Sequence, residues 1–338
     1  MRKIGLLPFT ILYWLITSTR NILFDVGILK STTIPGKSIS VGNLSVGGSG
    51  KTPMVHYLTN LIQNDHAVQI LSRGYGRKTS GYRQVTSADN ARTVGDEPLS
   101  YFQKFSQNVE VFVCEQRKLA IPFMKNRNEQ AVILLDDAFQ HRHVKPGLQL
   151  LLTPFADQFL DDCHLPSGNL RESKEGAGRA DIIIITKCPN LTGDDMMTHR
   201  KRYEIYQKPV FFSRIEYADF SSVGKPIQEM KSILLVTGIS STTSLKNHLM
   251  ERFQVEELKF GDHHSFTHAD IQVIHRKFDT FASKEMAIVT TEKDLVKIEG
   301  LLNELDRQTY PWYVLPMSVK MENEEAFNSM IKDYVRSN

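Results

Sequence analysis

Short apolar runs alternate with amphipathic segments through the first part of the chain. Each run spans only a few residues and is followed by a polar or glycine-containing segment. Continuous apolar runs of this kind are typical of parallel strands that are covered on both faces. Strands are predicted at residues 38–42, 68–72, 109–114, 132–135, 148–152 and 182–186, with a helix at 54–64. The alternation predicts an α/β fold with a doubly wound parallel sheet, in which ligands bind at the carboxyl ends of the strands.

A second, shorter series of the same kind begins after residue 225. The pattern weakens before it, and Gly224-Lys225-Pro226 interrupts the chain as a linker does. Strands are then predicted at 233–236, 287–290 and 312–315, with a helix at 243–253. A length of 338 residues is sufficient for two domains. We predict an N-terminal region at 1–30, a core domain at 31–220, a smaller α/β domain at 225–315, and a C-terminal helix at 316–338 that can return to the core domain.

The N-terminal region has a pattern of its own. Apart from Thr10, residues 4–16 are apolar or aromatic, and basic residues flank them at Arg2, Lys3 and Arg20. A helix that spans a bilayer needs about 20 apolar residues, so this stretch is too short to cross one. No small-x-small cleavage site follows it, which argues against a signal peptide. Two interpretations remain: a helix buried in the core, or, as we favour, a helix on a lipid surface with Tyr13 and Trp14 at headgroup depth.

Composition and charge exclude several functional classes. Hydrophobic residues make up 41% of the chain and charged residues 23%, as in a globular protein with a sizeable core. The net charge of +3 is spread without runs of Lys or Arg, so no nucleic-acid partner is expected, and no segment indicates an obligatory protein partner. Cys114, Cys163 and Cys188 lack CxxC spacing, which argues against a zinc site or a disulfide framework and favours a reducing cytosol.

A glycine-rich segment lies between the first two predicted elements: Gly47-Gly48-Ser49-Gly50-Lys51-Thr52. In a P-loop, glycines let successive backbone N–H groups wrap around phosphate oxygens. The lysine, here Lys51, reaches the β- and γ-phosphates, and the hydroxyl, here Thr52, binds Mg²⁺. The usual pattern has glycine where this chain has Ser45, and a chance glycine-rich turn is the alternative. The order of strand, loop and helix favours a P-loop that binds ATP.

Two adjacent carboxylates follow the predicted strand at 132–135. Asp136 and Asp137 stand at its carboxyl end. Mg²⁺ prefers oxygen ligands, and in nucleotide-dependent enzymes it bridges the β- and γ-phosphates beside the P-loop. An Asp-Asp pair alone also occurs in ordinary turns. In combination with the P-loop it predicts the Mg²⁺ site of a kinase.

Further motifs occur in a fixed order along the chain. They are Gly42-Asn43-Leu44, Ser72-Arg73-Gly74-Tyr75-Gly76-Arg77, Gly95-Asp96-Glu97-Pro98, Leu135-Asp136-Asp137-Ala138-Phe139-Gln140-His141, Leu170-Arg171-Glu172 and Asp262-His263-His264. Together with the P-loop, this order resembles the tetraacyldisaccharide 4′-kinases, the lipid A 4′-kinase family of Gram-negative bacteria. The resemblance covers nearly the whole chain.

The resemblance implies an activity and a location. The expected reaction is transfer of a phosphoryl group from ATP, with Mg²⁺, to the 4′-hydroxyl of an acylated glucosamine disaccharide 1-phosphate embedded in the membrane. The enzyme would then work at the cytoplasmic face of the inner membrane, with its basic, hydrophobic N-terminal helix on the lipid surface. It would have two domains that contribute catalytic groups from both sides of a cleft.

The resemblance also implies roles for single residues. Asp96 corresponds to the base for the acceptor hydroxyl and His263 to its orienting partner. The acidic set on the Mg²⁺ side is Asp136, Asp137 and Glu172. Stretches on the substrate side contain Arg73, Tyr75, Arg117, His141 and Arg171. Asn169 and Ser173 stand where the family often has proline, which affects the expected shape of the loop around Glu172.

Other interpretations remain open at the level of sequence. Asp96, followed by Glu97 and Pro98, is also a good start for a helix. His263 is also compatible with a satisfied loop histidine, and Asp262-His263-His264 with a metal site. A nucleotide-dependent switch is the main alternative function, but Thr186-Lys187-Cys188-Pro189 lacks the aspartate with which GTPases read guanine. A kinase for a soluble small molecule would leave the apolar stretch at 4–16 unexplained.

Overall fold

The fold comes from a computed structural model of the chain. The structure describes residues 5–105, 109–239, 242–262, 264–281 and 285–337. Predictions for Arg2, Lys3 and His263 therefore lie outside the described residues. The strands are β1 (Thr32–Thr33), β2 (Ser38–Asn43), β3 (Val68–Ser72), β4 (Arg83–Gln84), β5 (Val109–Val113), β6 (Val132–Asp136), β7 (Val144–Lys145), β8 (Leu148–Pro154), β9 (Ile182–Thr186), β10 (Val210–Tyr217), β11 (Ser221–Ser222), β12 (Ser232–Thr237), β13 (Gln254–Lys259), β14 (Met286–Thr291), β15 (Trp312–Leu315) and β16 (Met317–Met321).

Helices connect most of these strands. They are α1 (Leu7–Asp25), α2 (Lys51–Ile62), α3 (Ala91–Val94), α4 (Asp96–Phe105), α5 (Arg117–Arg127), α6 (Gly193–Lys201), α7 (Thr243–Met250), α8 (His268–Asp279), α9 (Glu292–Ile298), α10 (Glu304–Thr309) and α11 (Glu324–Arg336). Short 3₁₀ turns lie at Phe159–Asp161, Lys174–Arg179, Glu204–Tyr206 and Glu299–Leu301.

The larger sheet has the strand order β16-β10-β9-β8-β2-β6-β3-β5-β4. Its interior pairs are parallel, and only the edge strands β4 and β16 run antiparallel to their neighbours. The predicted α/β class and the doubly wound parallel sheet are confirmed. Strand β2 lies next to β6, with Val41 paired to Asp136. The segment after β2 and the carboxylates after β6 therefore emerge side by side.

Burial on both faces explains the continuous apolar runs. Every residue of β2, β3, β6 and β9 is buried. One face packs against α2, α4 and α11 through a cluster that includes Met54, Leu58 and Phe327. The other face packs against α5 and the segment after β8, with Met124 and Phe159 at its centre. A sheet without a solvated face has no polar alternation in its strands.

The smaller sheet has the order β11-β15-β14-β12-β13 and is parallel except for β11. The chain then returns to the larger sheet, where β16 pairs with β10 and α11 places Phe327 and Ile331 in the larger core. Strand β16 was not predicted, because its residues alternate between exposed and buried positions in a short run. The exact domain boundaries, including the division near residue 225, stay a prediction.

Helix α1 lies on the surface of the molecule. Phe24 is its only buried side chain. Its exposed apolar side chains are Leu7, Phe9, Ile11, Leu12, Trp14, Leu15, Ile16 and Ile22. This exposure does not agree with a helix buried in the core of this chain. Among the described residues, the structure contains no helix with the length and apolar character required to cross a membrane.

Candidate active site

The glycine-rich loop joins β2 to α2 at the carboxyl edge of the larger sheet. Gly47 and Gly50 have φ angles of 108° and 85°, in the left-handed region that favours glycine. Gly50 directly precedes the first residue of α2, Lys51. Ser45 does not have a positive φ, so its backbone conformation does not require the glycine of the usual pattern. The helix N-terminus behind the loop favours a bound anion.

Lys51 points from the start of α2 toward the end of the neighbouring strand. Its Nζ donates to Asn43 Oδ1 at 3.2 Å and lies 3.7 Å from Asp137 Oδ1. Asn43 is the last residue of β2, so the strand itself orients the lysine. The ammonium group therefore stands between the loop and the carboxylates that follow β6.

Asp136 is the last residue of β6 and is 1% exposed. Ser72 Oγ donates to its Oδ2 at 3.1 Å, whereas its buried Oδ1 has no hydrogen-bond partner among the described residues. Burial raises the pKa of Asp136 to about 7, and the negative charges of Glu97 and Asp137 add to the shift. A buried carboxylate with one oxygen that lacks a hydrogen-bond partner among the described residues is suited to a cation.

Asp137 has different surroundings. It has a φ of 44°, and Arg171 Nη1 donates to both of its oxygens at 3.0 and 3.1 Å. Although burial acts in the opposite direction, Lys51 and Arg171 hold the pKa of Asp137 below its usual value. The two adjacent aspartates therefore differ in the proton affinity of their carboxylates.

Glu97 is a residue of this site whose role the sequence did not predict. Thr52 Oγ1 donates to Glu97 Oε1 at 3.4 Å, and both residues line the same cleft as Asp136. The part of the chain that the structure describes contains no group of three His, Cys, Asp or Glu side chains that would hold a metal by itself. Mg²⁺ in kinases is commonly held by one or two carboxylates together with phosphate oxygens and water. The adjacent Asp136 and Asp137 supply two carboxylates at the cleft, which is a number that this mode of Mg²⁺ binding requires.

Glu172, which we predicted on the Mg²⁺ side, is engaged elsewhere. Arg179 donates to both of its oxygens at 2.8 and 2.9 Å. Asn21 and Gln140 donate to the same carboxylate at 2.7 and 3.1 Å. The residue is 2% exposed, and these contacts connect α1 to the loop that carries Arg171. They favour a positioning role for Glu172, and a direct bond to Mg²⁺ stays a prediction.

Asp96 is the first residue of α4 and is 7% exposed. Its Oδ1 accepts from the backbone N–H of Glu97 at 3.0 Å, so it does act at a helix start as the sequence suggested. Its Oδ2 faces the second sheet, where Lys297 Nζ lies 3.4 Å away and Lys293 Nζ 3.9 Å away. The predicted partner His263 lies outside the described residues. Its neighbour Asp262 lines the cleft, so this part of the second series does reach it.

The predicted substrate-side residues fall into two groups. Arg73, Tyr75 and Arg171 line the cleft. Arg117 is 3% exposed and donates to the backbone oxygens of Asp136 and Asp137 at 3.3 and 3.5 Å. His141 is not among the lining residues, and burial together with the charge of Arg117 lowers its pKa to about 4. Arg117 thus supports the backbone at the end of β6 and is not among the residues that line the cleft, and its contact with substrate stays a prediction.

The P-loop, Glu97, Asp136, Asp137, Arg73, Tyr75 and Arg171 line one cleft of about 730 Å³, and Asp96, Arg117, His141 and Glu172 are not among its lining residues. The P-loop and the carboxylates form one part of its wall, and Ile215, Tyr217, Leu245 and Met317 contribute an apolar part. Lys187 also lines it, with a φ of 56° and with Nζ donating to Gly48 O at 2.7 Å. Its position after β9 was visible in the sequence, but the contact with the P-loop requires knowledge of the strand order.

The raised pKa of Asp136 leads to a prediction about stability. Without Mg²⁺ or nucleotide, the folded state keeps a proton on Asp136 up to about pH 7, whereas the ordinary pKa is 3.8. The native state then binds more protons than the unfolded state, so stability falls as the pH rises through this window. In Asp136→Asn this loss is absent, a difference on the order of 3–4 kcal/mol between pH 4 and 7, since the pKa shift spans about three units of about 1.4 kcal/mol each. Thermal melts in EDTA between pH 4 and 7 measure it, and parallel curves for the two proteins would contradict the prediction.

Comparisons with known proteins agree with this arrangement. The family described as tetraacyldisaccharide-1-P 4′-kinase matches residues 2–336. The tetraacyldisaccharide 4′-kinase of Flavobacterium psychrophilum is 43% identical over 98% of this chain and 96% of its own length. That of Bacteroides thetaiotaomicron is 39% identical, over 98% of this chain and 93% of its own.

A solved structure is also similar to the chain over its whole length. The crystal structure of LpxK from Aquifex aeolicus in complex with ATP has a TM-score of 0.76 and 31% sequence identity, and it covers 99% of this chain and 100% of its own. The P-loop kinase fold and the resemblance found in the motifs are confirmed. The chain belongs to the tetraacyldisaccharide-1-P 4′-kinase family.

Proposed function

We propose that this protein transfers the γ-phosphoryl group of ATP to the 4′-hydroxyl of a membrane-embedded tetraacyldisaccharide 1-phosphate in lipid A biosynthesis. One observation carries the proposal beyond family membership. A single cleft is lined by the P-loop, by the carboxylates after β6 and by Glu97, and the nearly buried Asp96 directly precedes Glu97 at the boundary with the second sheet. Those are the groups needed to hold a nucleotide, a cation and an acceptor hydroxyl.

The nucleotide would lie along the wall that begins at the P-loop. Backbone N–H groups of residues 47–50 bind the phosphates, with Lys51 at the β- and γ-phosphates. The apolar part of the wall, at Ile215, Tyr217 and Leu245, fits a purine base. Lys187 donates to the Gly48 backbone oxygen at 2.7 Å, and this hydrogen bond would help to hold the P-loop backbone around the phosphates.

Thr52 and Asp136 would hold Mg²⁺, with Asp137 beside them. Asp136 fits this role because one of its buried oxygens has no partner among the described residues. When bound, the cation offsets negative charge on the transferring phosphoryl group. Asp137 is fixed by Arg171, and Lys51 stands near it to stabilise the same charge.

The acceptor would enter from the side of α1 and the loop containing Arg171. Asp96 would accept the proton of the 4′-hydroxyl as that oxygen attacks the γ-phosphorus in line, without a phosphorylated enzyme intermediate. Arg73, Tyr75 and Arg171 would contact the phosphorylated disaccharide, since guanidinium groups match phosphate geometry. His263 would orient Asp96.

Helix α1 would place the cleft at the cytoplasmic surface of the inner membrane. Tyr13, Thr17 and Arg20 of this helix line the cleft, while its apolar side chains are exposed. Tyr13 Oη donates to the backbone oxygen of Arg171 at 3.0 Å, which connects the helix to the substrate side. An exposed apolar helix next to the cleft entrance supports an acceptor that stays in the bilayer.

The membrane role predicts a strong effect of two charges on α1. In Leu12→Glu/Ile16→Glu, binding to vesicles of phosphatidylethanolamine and phosphatidylglycerol is expected to fall at least about tenfold, because burying each such side chain contributes roughly 1.5–3 kcal/mol. ATP affinity stays unchanged. Ile205→Glu, at an exposed apolar residue in the turn Glu204–Tyr206, serves as the matched control. Equal vesicle binding by the double variant and the control would show that α1 is not the lipid-binding element.

Acceptor dependence separates this function from a nucleotide switch. Purified protein is incubated with ATP and Mg²⁺, with and without detergent-dispersed tetraacyldisaccharide 1-phosphate, and consumption of ATP is followed. We expect ATP consumption only when the acceptor is present. Hydrolysis at the same rate without acceptor would contradict the proposal and favour the switch.

A further inference from the structure

The helix α9 carries a lysine that connects the second sheet to Asp96. Lys297 is nearly buried, with its side chain 6% exposed. Its Nζ lies 3.4 Å from Asp96 Oδ2 and 3.3 Å from Asp294 Oδ1, and it donates to the backbone oxygen of His264 at 3.3 Å. A lysine ammonium has three N–H donors and no acceptor. Lys297 donates hydrogen bonds to two of these oxygens, those of Asp294 and His264, and forms an ion pair with the third, that of Asp96.

The position of Lys297 is itself fixed by the second sheet. Asp294 is completely buried, and it accepts from the backbone N–H of Gly238 at 2.9 Å and from Thr291 Oγ1 at 3.0 Å. These partners follow β12 and end β14, two adjacent strands of that sheet. A rigid chain of contacts thus runs from the strand ends through Asp294 and Lys297 to Asp96.

We propose that Lys297 is a positioning residue that holds the Asp96 carboxylate in its catalytic orientation from the opposite side of the cleft. The inference rests on the proposed function, in which Asp96 is the base. The backbone N–H of Glu97 holds Oδ1 from the helix that carries Asp96, and Lys297 contacts Oδ2 from the helix that follows β14 of the second sheet.

The neighbouring lysine has a different place. Lys293 Nζ lies 3.2 Å from Glu97 Oε1 and 3.9 Å from Asp96, and its side chain is 22% exposed. It lines the cleft, whereas Lys297 does not. Lys297 thus acts on the reaction only through Asp96, which separates a positioning role from contact with substrate.

The variant Lys297→Met tests the inference, with kcat, both KM values and the thermal melt as readouts. We expect kcat to fall about 10- to 100-fold, since a misplaced base loses most of its contribution. The KM for ATP stays within about twofold, because the P-loop is unaffected. Lys297→Arg, which restores a cation, recovers most of kcat. In an Asp96→Asn background, Lys297→Met causes no further loss of kcat.

Two further variants keep the test decisive. Lys104→Met removes another ion pair between the same two helices, Lys104 to Glu292 at 2.9 Å, and its kcat is expected to stay within about twofold of wild type. Lys297→Gln keeps a donor for buried Asp294 and lowers kcat as Lys297→Met does, even if the methionine variant fails to fold. Wild-type kcat in folded Lys297→Gln, or equal losses in Lys104→Met, would overturn the inference. Absence of transfer by the wild type would instead contradict the proposed function and, with it, the inference built upon it.

Discussion

Lys51→Ala and Asp136→Ala are each expected to lower the rate of phosphoryl transfer by about 10²- to 10³-fold or more. Lys51 lies between the P-loop and Asp137, and Asp136 keeps an unpaired buried oxygen beside the same cleft. Both would stabilise negative charge that shifts during transfer, and removing one such group typically costs a rate factor of this size. Single-turnover assays with saturating ATP and Mg²⁺ measure the effect.

The control for these two variants is an alanine substitution far from the cleft. Lys201 is exposed at the end of α6, and Lys201→Ala is expected to retain full activity. Each variant must also show a cooperative melt, so that loss of folding is separated from loss of chemistry. Near-wild-type turnover in either Lys51→Ala or Asp136→Ala would contradict the proposed roles of the P-loop and Asp136 in phosphoryl transfer.

Asp96→Ala is expected to lower kcat by about 10²- to 10⁴-fold, the range attributed to a positioned base. Asp96 and His263 act as one unit in our account, so the double variant Asp96→Ala/His263→Ala is expected to be little worse than Asp96→Ala alone. The dissociation constant for ATP should change little in either single variant or in the double variant, because Asp96 does not belong to the P-loop. Calorimetric titration with a non-hydrolysable ATP analogue checks this.

Additive losses from the two single variants would contradict the pairing. In that case His263 is not the partner of Asp96, and Lys297, at 3.4 Å, is a partner that the structure describes. Weak ATP binding in Asp96→Ala would also contradict the assignment of Asp96 as the base, because it would indicate that Asp96 contacts the nucleotide.

The larger sheet was predictable because its interior strands are buried on both faces. Runs such as 132–135 and 182–186 contain no polar alternation, and this pattern can be recognised in the sequence without knowing which strands are neighbours. Strand β16 was missed because its exposed and buried residues alternate over only five positions at the edge of the sheet. Whether a strand lies at the edge depends on the strand order of the whole sheet, and the sequence of a short segment does not show that order.

The candidate site divides in a similar way. The P-loop and Asp136 were predicted, because the required residue types follow strands whose carboxyl ends must meet at one edge. Lys297 was not, because its role arises from a contact between two parts of the chain that are distant in sequence, and Glu97 was not, because its contact with Thr52 depends on how α2 and α4 pack on the same sheet. Arg117 shows what the sequence did not reveal about a predicted residue: it is buried and donates to the backbone of Asp136 and Asp137, and its contact with substrate stays a prediction.

The fate of the γ-phosphoryl group tests the central claim most directly. The purified full-length protein is incubated with Mg²⁺, ATP labelled in its γ-phosphoryl group, and detergent-dispersed tetraacyldisaccharide 1-phosphate. The products are separated and the lipid fraction is examined by phosphorus NMR and mass spectrometry. Our account predicts the label in a new phosphomonoester on the 4′-oxygen of the disaccharide, formed at least about 10²-fold more slowly with Asp96→Ala. Label found only in inorganic phosphate, with the lipid unchanged, would contradict it.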